Sequence, residues 1–233
     1  MNRRIDEVLR YLGAGSAVGQ QSGEALAQLK QAAETQLRQL DETVQPKTLC
    51  RVFPLRRDGD PNAFALIGTD GFPALSLSGQ LAQTMLHGCE KAALLLCTLG
   101  LPFDGLIRTQ QARSMAQAAM LDACGNVLVE EACDKAEEAL RQQYPQLYLT
   151  DRFSPGYGDL PLSVQPALLR ALEATRLAGV YLTDSCLMNP SKTVTAIVGL
   201  STKPQQAKIR GCGHCALRDT CNIRKDGKCC DMF

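Results

Sequence analysis

The chain has 233 residues, 45% of them hydrophobic, with 25 basic side chains against 24 acidic ones. That length can bury a sizeable core and suits one large domain, or one domain with a smaller appendage. A near-neutral charge gives no field for nucleic acid or an anionic membrane, no apolar run is long enough to span a bilayer, and the start MNRRIDEVLR has a signal peptide's charge without its apolar stretch, so a cytoplasmic protein with neither partner is expected.

Residues 3–12 read as a short helix, which Gly13, Gly15 and Gly19 bring to an end. From Ser22 to Leu40 the residues Leu26, Leu29, Ala33, Leu37 and Leu40 fall at steps of three and four, which predicts a second helix with one apolar stripe. Between Thr48 and Gly71, short runs rich in Val, Phe, Leu and Ile flank RRDGDPN and predict an antiparallel hairpin whose loop exceeds two residues. Ser78 is a candidate cap for a helix ending near Gly88, and KAALLLCTLG (Lys91–Gly100) reads as a buried strand.

Phe103 to Gln143 holds little Gly or Pro and spaces Ile107, Met115, Ala119, Leu128 and Ala132 like a helix, long or broken once, with Gly125 the expected break. LYLT, Val180–Leu182 and Thr193–Leu200 read as strands, and Ser163–Leu177 as a helix. This mixed order predicts an α+β fold with an antiparallel sheet rather than a doubly wound parallel one. Three parts are expected: an N-terminal helical segment over 1–45, an α+β core over 46–205, and a Cys-rich tail over 206–233.

RFSPGYGDLP (Arg152–Pro161) is the stretch with the most chemistry. It matches neither the P-loop nor the dinucleotide-fold glycine fingerprint. Gly156 and Gly158 permit positive φ and close approach of backbone to a ligand, Arg152 offers a planar fork for a carboxylate, and Tyr157 offers a face for a sulfonium or another cation. Pro155 and Pro161 stiffen the loop and lower the ordering cost of binding. The same composition also describes a plain strand-to-helix turn.

Of eleven cysteines, Cys50, Cys89, Cys97, Cys124, Cys133 and Cys186 are scattered and read as small core hydrophobes. The other five, Cys212, Cys215, Cys221, Cys229 and Cys230, cluster in the tail, where their thiolates could close a [4Fe–4S] or Zn site with His214 as a further ligand. One Cys-x-x-Cys pair with scattered partners favours iron–sulfur over a zinc ribbon. Arg210, Arg218, Arg224, Lys225 and Lys228 could offset an anionic site or dock an acidic electron donor such as flavodoxin or ferredoxin.

RFSPGYGDLPLSVQPALLRAL resembles the S-adenosylmethionine-binding segment of the reactivation (activation) domain of cobalamin-dependent methionine synthase, an arginine followed by small residues, Pro and Gly-Tyr. LTDSCLMNPSKTVTAIVG (Leu182–Gly199) resembles that family's Leu-Thr-Glu-Ser, Met, Pro, Ser-Val-Ser stretch. VLRYLG, RVFPL, TLGLPFDGLIR and LDACGNVLVEEACD are similar to stand-alone versions of the domain, so the likeness covers nearly the whole chain. It implies S-adenosylmethionine held by the carboxylate on Arg152, by Ser154, Gly156 and the neighbouring backbone, with Tyr157 and Gly158 in the Gly-Tyr loop and Glu138, or Glu137 after a one-residue shift, toward the ligand's positive end.

The family's aromatic residue after Ser-Val-Ser has no counterpart in Val194–Leu200, and Asp159 replaces a more neutral residue. The implied role is that of a methyltransferase-associated subunit that supports reductive methylation of cob(II)alamin to methylcobalamin. No Asp-x-His-x-x-Gly motif occurs, so cobalamin would arrive on a separate methionine synthase lacking its own activation domain. Positioning suffices for such a role, and only two histidines, His87 and His214, are present. The alternatives are a non-catalytic metal-binding or docking module, and an activator of a different corrinoid methyltransferase.

Overall fold

A computed structural model describes residues 3–13, 23–58 and 60–205; the five tail cysteines and His214 lie outside them. Helices α1 (Arg3–Tyr11) and α2 (Gly23–Thr43) precede strands β1 (Lys47–Asp58), β2 (Asp60–Ile67) and β3 (Pro73–Ser78), helix α3 (Gln80–Leu86) and strand β4 (Lys91–Thr98). Then come α4 (Gly100–Gln111), α5 (Met115–Gln143), β5 (Tyr148–Leu149), a 3-10 turn at Leu162–Val164, α6 (Gln165–Ala171) and α7 (Ala174–Ala178). A small hairpin of β6 (Tyr181–Leu182) and β7 (Met188–Asn189) leads into β8 (Thr193–Ser201).

One sheet runs β3-β2-β1-β4-β8-β5, with antiparallel pairing throughout. The side-chain alternation of a strand divides its two faces. On β4, Ala93, Leu95 and Cys97 join α1, α2, α4 and α5, whereas Ala92, Leu94 and Leu96 join α3, α6 and α7. Helices therefore cover both faces of the central strands, and β4 reads as an unbroken apolar run because both of its sides are buried. Each fully buried leucine there contributes about 1.5–3 kcal/mol of burial free energy. Val8, Ala33, Leu37 and Leu40 of the first two helices belong to the same core as α5.

Several expected boundaries move. The hairpin strands run into RRDGDPN as far as the facing pair Asp58 and Asp60, which leaves a shorter loop than expected. Ser78 ends β3, a strand not expected from the sequence, and does not cap α3. The helical region breaks at Ala112–Ser114, where Ser114 caps α5 by accepting from the Gln117 N–H. Gly125 continues the helix instead of breaking it: a Cβ there would stand 2.5 Å from a Phe103 ring carbon, so the glycine lets α4 and α5 approach closely. The helix expected over 163–177 divides at Glu173, which adopts a left-handed conformation at φ 53°.

Candidate functional site

Arg152 follows β5, and the next residue fixes its direction. Phe153 exchanges backbone hydrogen bonds of 3.0 and 2.8 Å with Ile197 in the middle of β8. That pairing buries Phe153 among α3, α6 and β4 and turns Arg152 to the α5 side of the sheet.

There Glu130, Asp134 and Glu137, spaced i, i+4 and i+7 along α5, meet its guanidinium. Nη2 donates to Glu130 at 2.5 Å, and Nη1 donates to Asp134 at 2.7 Å and also to Glu137. Arg152 is 9% exposed and Glu137 6%, while Glu130 and Asp134 face outward. Burial works against the charge on Arg152, but hydrogen bonds with Asp134 and Glu137 and the fields of Glu137 and Glu130 outweigh it and raise its pKa. Three of its five N–H groups are committed. Among the described residues, Nε–H and one Nη2–H have no partner.

Glu138 stands one residue beyond that face. It is exposed and accepts from Arg141 and Gln142, so α5 presents Glu137, not Glu138, to Arg152. Glu130 and Asp134 were not singled out from the sequence. Their spacing was readable, but an acidic stripe on a helix is ordinarily a solvated face, and the cation that gathers it comes from a distant loop.

The glycine-tyrosine loop is a hydrogen-bonded turn. Tyr157 N–H donates to the Ser154 carbonyl at 3.1 Å, Gly156 N–H to the Leu160 carbonyl at 2.8 Å, and Leu160 N–H to the Tyr157 carbonyl at 3.0 Å. The Gly156 and Tyr157 donors are thus used within the turn, and Gly156 and Gly158 supply its positive φ angles of 88° and 56°. Tyr157 is left 46% exposed, and Ser154 is half-buried. Asp159 accepts from Gln80 N–H at 2.5 Å and Leu81 N–H at 2.9 Å, capping α3 from across the fold. Hydrogen bonds from Leu81 and Gln80 hold its carboxyl below the ordinary value.

The Arg152 stretch and the Leu182–Gly199 stretch meet at several points. Besides the Phe153–Ile197 pair, Gln165 donates to Thr195 at 2.8 Å and contacts the Met188 sulfur at 3.0 Å. Pro190–Thr193 is tied to α4 and α5 by Asp104, which accepts from the Ser191 N–H and hydroxyl, and by Lys192, which reaches Asp122 and Asn126.

Cys97, Cys124 and Cys133 are buried as expected of core thiols, but Cys50 is exposed. Burial pushes Cys89 and Cys124 up to about 12, which leaves both protonated. Cys97 and Cys133 lie behind the Arg152 cluster, where a hydrogen bond with Cys133 lowers Cys97 against the effect of burial. Among the described residues no group of three His, Cys, Asp or Glu is arranged to hold a metal ion, and no helix is long and apolar enough to cross a membrane.

The architecture is the mixed helix and antiparallel-sheet fold of a methionine synthase reactivation domain. One solved relative in fold is the crystal structure of the MetH reactivation domain bound to AdoHcy, which superposes with a TM-score of 0.65 over 88% of this chain and 74% of that one, at 18% identity. No family sequence profile and no curated protein matches the chain.

Proposed function

We propose that this chain is a stand-alone reactivation subunit for a separate cobalamin-dependent methionine synthase, holding S-adenosylmethionine at the Arg152 face while the partner supplies the corrinoid. The observation that carries the reading is the Arg152 cluster. Outward-facing Glu130 and Asp134 join buried Glu137 on Arg152, with Arg141 a second cation 3.4 Å from Glu137, so described acids outnumber described bases on this face. That excess suits a ligand whose sulfonium and ammonium groups outnumber its single carboxylate.

The fold relationship to a reactivation domain supports the same role, as does the meeting of the Arg152 stretch with the Leu182–Gly199 stretch. The Nε–H and second Nη2–H of Arg152 would take the ligand's carboxylate, and outward-facing Glu130 and Asp134 would lie toward its positive groups. Glu137 would act by fixing Arg152. With two of its N–H groups used internally, the Ser154–Gly158 turn would contribute shape, the Tyr157 face and its remaining backbone groups. When bound, S-adenosylmethionine supplies the methyl group, and the chain's own task is to orient it and exclude competing chemistry.

In the same proposal Cys212, Cys215, Cys221, Cys229 and Cys230 hold a [4Fe–4S] cluster or Zn. An iron–sulfur cluster there would supply one-electron chemistry, with flavodoxin or ferredoxin as donor, in the cytoplasm. Anaerobic calorimetric titration of S-adenosylmethionine tests the ligand site. Saturable binding is expected in the wild type, at least tenfold weaker in Glu130→Gln/Asp134→Asn, whose exposed positions leave the fold intact. Absence of binding to wild type, or equal binding to the variant, would overturn it.

A second reading, a docking module without ligand, is favoured by one feature. Arg152 already has three carboxylate partners.

A further inference from the structure

A cavity of about 420 Å³ opens between α6, α7 and β6, on the side of the sheet away from the Arg152 cluster. Its floor is apolar, formed by buried Leu169 and Ala174 with half-buried Leu182. Its walls carry Arg170 and Arg176.

The polar groups there divide into committed and uncommitted ones. Glu173 accepts from Arg176 at 2.5 Å and from Arg51 of β1 at 3.0 Å, and those two hydrogen bonds hold its carboxyl below the ordinary value, so it stays ionised and satisfied. Thr175 donates its hydroxyl to the Val180 carbonyl at 2.8 Å. Among the described residues, the Arg170 guanidinium and the Tyr181 hydroxyl have no partner, and Tyr181 is 45% exposed beside the floor. In the lining, Arg170 and Arg176 against Glu173 give a local formal charge of +1, and Arg51, outside the lining, also pairs with Glu173. The cavity thus presents uncommitted donors, positive charge, an aromatic ring and an apolar floor, while the carboxylate that could repel an anion is neutralised by its two arginines. Its volume falls within the range of small-molecule sites.

We infer that this cavity binds an aryl phosphate. The phosphate would sit on Arg170, with Arg176 and the Tyr181 hydroxyl as further donors, and the ring would lie over Leu169 and Leu182. Phosphate suits the site better than carboxylate because its additional oxygens can engage donors on more than one wall. This inference does not rest on the reading of Arg152, and the failure of either leaves the other intact.

The test is a titration of the full chain with phenyl phosphate, followed by nuclear magnetic resonance of the backbone amides. Saturable shifts confined to Leu169, Arg170, Tyr181, Leu182 and their neighbours are expected, with a Kd on the order of 1 mM or tighter. Arg170→Ala, at an exposed position, should weaken binding at least tenfold while leaving the rest of the spectrum unchanged. Inorganic phosphate, which lacks the ring, should also bind at least tenfold more weakly. Shifts that do not saturate, shifts centred elsewhere, or equal binding by Arg170→Ala would overturn the site. Equal binding of inorganic phosphate would overturn the aryl specificity and with it the proposal as stated.

Discussion

The sheet is flanked by two ion clusters built in opposite proportion. On the α5 side one arginine, 9% exposed, holds three carboxylates; on the α7 side one glutamate is shared by Arg51 and Arg176, which are 45% and 70% exposed. Contact distances hardly separate them, since both include ion pairs of 2.5 Å. Burial does. Around Glu173 water can take the place of a lost partner, so the pairs there add little. Around Arg152 water cannot reach Glu137 freely, so each charge depends on the other. Bond length is therefore a poor guide to what an ion pair contributes, and the solvent available to the partner left behind is a better one.

The most direct way to break this comparison is to remove one arginine from each side. Arg152→Ala is expected to destabilise the fold by about 3–5 kcal/mol, because Glu137 keeps its burial and loses a buried guanidinium, while its pair with Arg141 is longer, at 3.4 Å. For a chain of this size that lowers the thermal midpoint by roughly 6–20 °C. Arg176→Ala should move it by no more than about 2 °C. Thermal unfolding followed by circular dichroism measures both, and equal shifts would mean that burial does not rank the clusters.

A smaller effect is expected where α5 meets α4, on the same side of the sheet. Gly125→Ala places a methyl group 2.5 Å from the Phe103 ring, and Phe103 is buried. Overpacking of this kind costs about 1–3 kcal/mol, against which an alanine in mid-helix recovers about 1 kcal/mol. A net loss of up to about 2 kcal/mol should appear in urea unfolding. A stabilised variant would show that Phe103 moves aside freely and that the α5 side is less tightly packed than its geometry indicates.

These cases also mark what the sequence could and could not say. The stripe from Leu26 to Leu40 and the apolar run of β4 announced themselves, because burial of one face or of both leaves a period in the residue pattern. Gly125 misled because a glycine that permits close packing and one that ends a helix are the same letter. The division at Glu173 was invisible, since a left-handed glutamate carries no local signal. In the candidate site, the loop of Arg152 stood out by composition, and Glu137 was already in view as the alternative to Glu138. Glu130 and Asp134 acquire meaning only when the chain folds back and a single arginine gathers three acids separated from it by 15 to 22 residues.

The finest test concerns two exposed acids, Asp159 and Glu173, both held below their ordinary values by different donors. Backbone N–H groups of Leu81 and Gln80 act on Asp159, whereas the guanidinium groups of Arg176 and Arg51 act on Glu173. A depressed folded pKa contributes stability that is present above the unfolded value, here the ordinary 3.8, and is lost as pH falls through the folded value below it. Asp159→Asn keeps the shape but loses the charge at the α3 cap, so its midpoint should lie a degree or two below wild type between about pH 5 and 7. That difference should close below pH 3.8 as the native aspartate becomes protonated. Salt separates the two acids further: about 1 M salt shortens the screening length to roughly 3 Å, which weakens attraction between full charges at the surface more than hydrogen bonds from neutral backbone N–H groups. The Asp159→Asn difference should therefore survive high salt, while any difference made by Glu173→Gln should vanish. If both vanish together, Asp159 acts by charge alone, and the loop of Gly156 and Tyr157 is held to α3 no more firmly than Arg176 is held to Glu173.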